Sequence, residues 1–178
     1  MLNSKPIIKN NNPTIPKPDK AKQIESNQAE SNEEKITVSI IVDRINKLKG
    51  LNNYDIRQLV KDAEYLGKDL KEKNLKTNQI RKFLDAINQI KINVIKAELK
   101  ESEDLPPKVI DNTIMLQPKL AYAAGRKYAK GSLEGEAAKN FQGVLTAAIN
   151  QVKKEKDFQR LVQLVESIIA YHKAAGGE

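Results

Sequence analysis

From Val38 to His172 the apolar residues of this 178-residue chain return every three or four positions, the rhythm of one helix face. Only Ile36-Thr37-Val38-Ser39-Ile40 alternates as a strand would, and the residues after it fit a helix alone. A helix striped in this way must bury its stripe against other helices. The fold class read from the spacing is therefore all-α: a compact bundle of five or six helices forming a single domain over residues 35–178.

Residues 1–34 fall outside that rhythm. They hold four of the seven prolines (Pro6, Pro13, Pro16, Pro18) among Asn, Lys, Ser and Gln. Such a composition cannot bury enough apolar surface to offset chain entropy, so it reads as a disordered Pro/Asn-rich tail. It opens with no apolar h-region of a signal peptide. No apolar run approaches the ~20 residues of a membrane span. There is no cysteine, which removes disulfides, thiolate chemistry and Cys-type zinc sites and fits a reducing cytoplasm.

Along the rest of the chain the punctuation sets the helices. Val38, Ile41, Val42, Ile45 and Leu48 stripe the first, which Gly50 stops. Asn52 or Asn53 is the expected cap of a second helix, running to about Lys73 with Ile56, Leu59, Val60, Ala63, Leu66 and Leu70 inside and slightly weakened by Gly67. Thr77 is the expected cap of a third, reaching about Ser102, with Ile80, Phe83, Leu84, Ile87, Ile90, Val94 and Ile95 inward. Residues 101–117 read as a connector holding Pro106-Pro107 and three carboxylates, Glu101, Glu103 and Asp104, a solvated acidic helix end rather than a metal site. Ser132 caps a fifth helix and Asp157 a sixth. His172, the single histidine, falls on the apolar face of the sixth, where a hydrogen-bonded structural role is expected.

The fourth helix, Leu116 to Gly131, carries the most unusual charge. Pro118 suits its first position and Gly131 its left-handed exit. Leu120, Ala121, Ala124 and Tyr128 make a thin buried stripe. Lys119, Tyr122, Arg126 and Lys130 fall within roughly 80° of one another on the helix wheel, a line of cations with an aromatic set into it. Residues 105–131 hold five cations, Lys108, Lys119, Arg126, Lys127 and Lys130, against one anion, Asp111, which is +4 of the chain's net +8. Lys119 lies in a first turn, where the helix dipole disfavours a cation and favours a phosphate. Arg81 and Lys82 repeat that placement in the third helix, although Arg81 has Asp85 as an i,i+4 partner and Lys82 has only Ala86 there. The stripe reads either as a solvated basic face or as a polyanion-binding one.

Catalytic constellations are scarce. No phosphate-loop spacing, H-E-x-x-H or Gly-flanked serine elbow is present, and a Cys–His pair cannot exist. The reading is of no enzyme, no metal and no cofactor.

Three stretches in order resemble the small subunit of the type III-A CRISPR effector, the Csm interference complex. They are Thr77-Asn78-Gln79-Ile80-Arg81-Lys82-Phe83, then Leu116-Gln117-Pro118-Lys119-Leu120-Ala121-Tyr122-Ala123-Ala124-Gly125-Arg126, then the end from Asp157-Phe158 through Ile169-Ala170-Tyr171-His172-Lys173. The similarity covers about residues 35 to 175, and the tail departs from the family pattern. It implies a small helical protein without nuclease activity, several copies of which line the guide–target RNA path beside other Csm subunits and further copies of itself. It also implies contact with the guide–target duplex and with single-stranded target RNA, in the cytoplasm and away from membranes. A subunit repeated along a duplex of any sequence would meet phosphates and sugars rather than base edges. The expected RNA-facing set is Lys119, Tyr122, Arg126, Lys127 and Lys130, with Arg81 and Lys82 from the third helix. Two alternatives stay open: a structural adaptor that joins protein subunits without touching RNA, and an enzyme with an unrecognised carboxylate site.

Overall fold

A computed structural model describes residues 36–98, 103–125 and 131–178. The expectation of a disordered tail lies outside the described residues. Seven α-helices occupy them: α1 Val38–Asn46, α2 Ile56–Glu72, α3 Thr77–Lys96, α4 Pro107–Ile114, α5 Leu116–Gly125, α6 Leu133–Asn150 and α7 Glu155–Ala174, with a 3-10 turn at Leu51–Asn53. The all-α bundle expected from the periodicity is present, and the described residues contain no strand. The expected connector adds a short helix, α4, which Pro106 and Pro107 begin rather than prevent, since proline is tolerated in a first turn.

One apolar core joins all seven helices. α7 packs on α2 and α3, while α6 packs on α1, α2 and α5. α2 and α7 approach closely at Gly67, where a Cβ would stand 2.8 Å from the backbone nitrogen of His172 and 2.9 Å from the carbonyl oxygen of Ile168. Gly67 is thus the residue that lets two helices meet, not only a weak point in α2.

Buried polar groups fix the ends of the helices. Asp62, 1 % exposed, accepts from Tyr54 Oη at 2.5 Å and Gln58 Nε2 at 3.0 Å and pairs with Arg44, so one carboxylate ties α1, the 3-10 turn and α2 together. Burial, then the bond to Asp62, raises the Tyr54 phenol well above its ordinary pKa. Asp55, rather than Asn52 or Asn53, caps α2 by accepting from the N–H groups of Arg57 and Gln58, because the two asparagines belong to the 3-10 turn.

Asp157 is the third residue of α7 and not its cap position. Its carboxylate accepts from the N–H groups of Lys153 and Lys154 and from that of Asn52 at 2.8 Å, docking the 3-10 turn on the start of α7. Residues 103–105 lie against 153–155 through Leu105 N–H to Lys153 O (3.0 Å) and Glu155 N–H to Glu103 O (3.1 Å). Glu103 and Asp104 are exposed there, while Glu101 lies outside the described residues. Lys73 Nζ bridges Asp69 at 2.6 Å and Glu136 at 2.8 Å, tying α2 to α6.

Thr77 is not a cap either. Lys76 holds that position, and the buried Thr77 hydroxyl lies 3.2 Å from His172 Nδ1. His172 Nε2 is 2.8 Å from Leu75 O, so it carries the proton, and Nδ1 accepts from the threonine. The histidine is fully buried with both nitrogens engaged, in the structural role expected of it, and burial lowers its pKa. α3 ends at Lys96, short of Ser102, and Ile95 is 66 % exposed while Val94 is buried. Neighbouring helical residues stand ~100° apart and cannot share a narrow buried face.

Candidate nucleic-acid interface

The expected basic helix begins at Leu116, as α5, and is described as far as Gly125. Pro118 is the third residue of α5 and not its first. Its missing N–H cannot bond the carbonyl four residues back, at Ile114, and there the run from Pro107 breaks into α4 and α5 at Met115. The start of α5 therefore follows directly on α4 and is no open N-terminus, so the dipole argument for a phosphate at that end falls away. Leu120 and Ala124 are buried as expected, but Ala121 is exposed. Gly131 has φ +80°, the left-handed conformation expected of it. Arg126, Lys127, Tyr128 and Lys130 lie outside the described residues.

The two basic groups partly converge. A cavity of about 530 Å³ opens between α3, α5 and α6. From α3 it is lined by Gln79, Lys82, Phe83 and Ala86, and from α5 by Lys119, Leu120, Tyr122, Ala123 and Ala124. Glu134, Ala138 and Phe141 close it from α6. Lys82 and Lys119, 37 positions apart in sequence, are exposed residues of this one cavity, and Tyr122 beside them is 69 % exposed. The floor is apolar. Phe83 and Phe141 meet edge to face, centroids 5.9 Å apart, and hold α3 against α6.

Arg81 is exposed on α3 but does not line the cavity, because one helical residue turns it ~100° away from Lys82. Its expected pair with Asp85 is not among the ion pairs of the described residues. Lys82 and Lys119 likewise form none.

Sequence reasoning missed the walls. Glu134 reads as a favourable acidic first turn of α6, and Phe83 and Phe141 as core. The available signal was the run of alanines. Small residues let α5 and α6 approach, and at Ala86, Ala123, Ala124 and Ala138 they also leave the space unfilled.

The family model described as Csm2 Type III-A matches residues 53–178, more than two thirds of the chain and every element that lines the cavity. The chain belongs to this family. It is a small subunit of the type III-A Csm complex of CRISPR systems, in a family that is structural and not known as catalytic, and other Csm subunits are its partners. Comparison with curated proteins gives no match. Among the described residues no three His, Cys, Asp or Glu side chains are grouped to hold a metal ion, and no helix is long and apolar enough to cross a membrane.

Proposed function

We propose that this subunit binds target RNA through its backbone, without sequence specificity, on the face where α3 meets α5. The observation that carries the reading is the convergence of Lys82, Lys119 and the exposed Tyr122 on one cavity from separate segments of the chain. Cations around an exposed aromatic ring suit a phosphate–sugar backbone with a base or sugar against the ring. Arg81 extends the basic surface outside the cavity, and Arg126, Lys127 and Lys130 would extend it beyond Gly125. Several copies line the guide–target path in the cytoplasm in this reading, and the subunit itself cleaves nothing.

The test is charge reversal in the assembled complex. Lys82→Glu and Lys119→Glu each weaken target-RNA binding, equally for unrelated sequences, and each lost phosphate contact flattens the log–log salt slope by ~0.7–0.9. Lys153→Glu is the control, since Lys153 is exposed away from the cavity and uses its backbone N–H, not its charge, on Asp157. Equal losses from Lys153→Glu reduce the effect to net charge and refute the site.

The adaptor reading has its own support in Ile95 (66 % exposed), Met115 (56 %) and Ile114 (48 %), large apolar side chains suited to protein contact. It becomes the better account if both cavity lysines can be reversed with no loss of RNA binding.

A further inference from the structure

We propose that the cavity between α3, α5 and α6 takes one unpaired nucleobase of a single-stranded RNA, with the flanking phosphates held outside it by Lys82 and Lys119. The inference rests on the RNA reading above and adds to it what enters the cavity. A basic face that only follows a backbone needs no cavity, yet about 530 Å³ lies open under these cations, within the range of sites that enclose small organic groups. Its floor, built from Phe83, Leu120, Ala124 and Phe141, suits a flat, weakly polar ring rather than a hydrated ion.

Glu134 decides which part of a nucleotide goes in. It is half-buried in the wall and has no hydrogen bond or ion pair among the described residues. A carboxylate there repels a phosphate at any depth but accepts a hydrogen bond from a base amino or imino group. The neutral base is therefore the part that fits inside, and the phosphates remain with the lysines at the mouth. Tyr122, two-thirds exposed beside Lys119, places an aromatic side chain at the cavity wall. A base engaged in a helix is stacked on both faces and paired along its edge, so this site discriminates against duplex.

The test uses the full chain at low salt with three RNA probes of equal length: a six-nucleotide single strand, the same backbone made wholly abasic, and the duplex. The single strand binds roughly 5- to 150-fold tighter than the abasic backbone, the range for one stacked base. Ala123→Leu, an exposed position on the cavity wall, removes that advantage while leaving abasic binding unchanged. A single strand with 2-aminopurine changes fluorescence on binding the parent chain and not on binding Ala123→Leu. If single-stranded and abasic probes bind alike and both weaken with Lys82→Glu, the backbone reading stands and the base site is overturned. If no probe responds to Lys82→Glu or Lys119→Glu, the RNA reading falls and the base site with it. If Ala123→Leu instead abolishes co-purification with the other Csm subunits and leaves RNA binding intact, the cavity receives protein and the proposal is refuted.

Discussion

Gly67→Ala and Gly143→Ala are the same substitution in the interiors of two α-helices, and the structure gives them different outcomes. In an exposed helix interior alanine is favoured over glycine by ~1 kcal/mol. At Gly143 on α6 the nearest atom to a new Cβ is Val42 Cγ2 at 4.0 Å, so nothing opposes that gain. At Gly67 the new Cβ would lie 2.8 Å from His172 N, 2.9 Å from Ile168 O and 2.9 Å from Tyr171 Cβ. Two of those atoms are backbone of α7, so relief requires the helices to separate. Overpacking of a tight core costs about 1–3 kcal/mol. The propensity gain is common to both variants, so their difference in stability is the overpacking cost itself, about 1–3 kcal/mol. Gly143→Ala is then stabilised by up to ~1 kcal/mol, and Gly67→Ala runs from neutral to ~2 kcal/mol destabilised. For a chain of this length that separates the two melting midpoints by about 2–12 °C. Thermal melts followed by helical circular dichroism read it directly. If Gly67→Ala melts within a degree of Gly143→Ala, α2 and α7 do not approach as described.

Asp62→Ala removes the shared partner of Arg44, Tyr54 and Gln58 and should cost about 2–4 kcal/mol in urea denaturation, whereas Tyr54→Phe, which deletes one of those bonds, should cost only ~1 kcal/mol. His172 is held neutral by burial, so its folded pKa lies below the ordinary 6.5. The unfolded chain then binds the proton more readily, and stability falls as pH drops below about 6.5. The melting midpoint should decline more steeply between pH 7.5 and 5.5 in the parent chain than in His172→Gln, and parallel profiles would contradict the buried neutral ring. Gly177→Ala would place a Cβ 2.1 Å from the His172 ring and should lower the melting midpoint, while Gly125→Ala, with nothing within 4 Å, should not.

Much of the fold was legible because helical burial leaves a periodic trace. The stripes on α2, α6 and α7 survive almost residue for residue, from Leu59, Leu66 and Leu70 to Leu161, Val165 and Ile168. Ser132 is the cap it was read to be, accepting from Gly135 N–H at 3.2 Å. What failed were local signals that tertiary bonds redirect. Thr77 has a good capping side chain but spends it on a distant element, His172, while Asp157 serves α7 from its third position, accepting from Lys154 N–H, and reaches Asn52 as well. A cap preference is worth ~1 kcal/mol, no more than a bond that also joins two parts of the core. Ile56 and Ile95 failed differently. Each continues an apolar pattern into a helix end, yet they are 45 % and 66 % exposed.

The site was legible only as chemistry and not as shape. Lys119 and Tyr122 stand out because cations and an aromatic ring share one face of a short helix, and Lys82 because it has no carboxylate one turn on. Periodicity orders residues around one helix axis and carries no information about which face of another helix lies opposite. That α3 presents Lys82 to the cavity and turns Arg81 away follows from the way Phe83 packs against Phe141, a contact across 58 positions that no local pattern contains. The alanines show the same limit. A small residue on a helix face means either close approach or unfilled space, and α5 uses both, with Ala124 buried toward the core and Ala123 open at the cavity wall. Lys82 therefore lines the cavity and Arg81 does not, although the sequence offers them as neighbours of equal charge, and in the proposed reading Lys82→Glu should weaken RNA binding more than Arg81→Glu. Equal losses from the two would mean that a diffuse basic surface, not this cavity, meets the RNA.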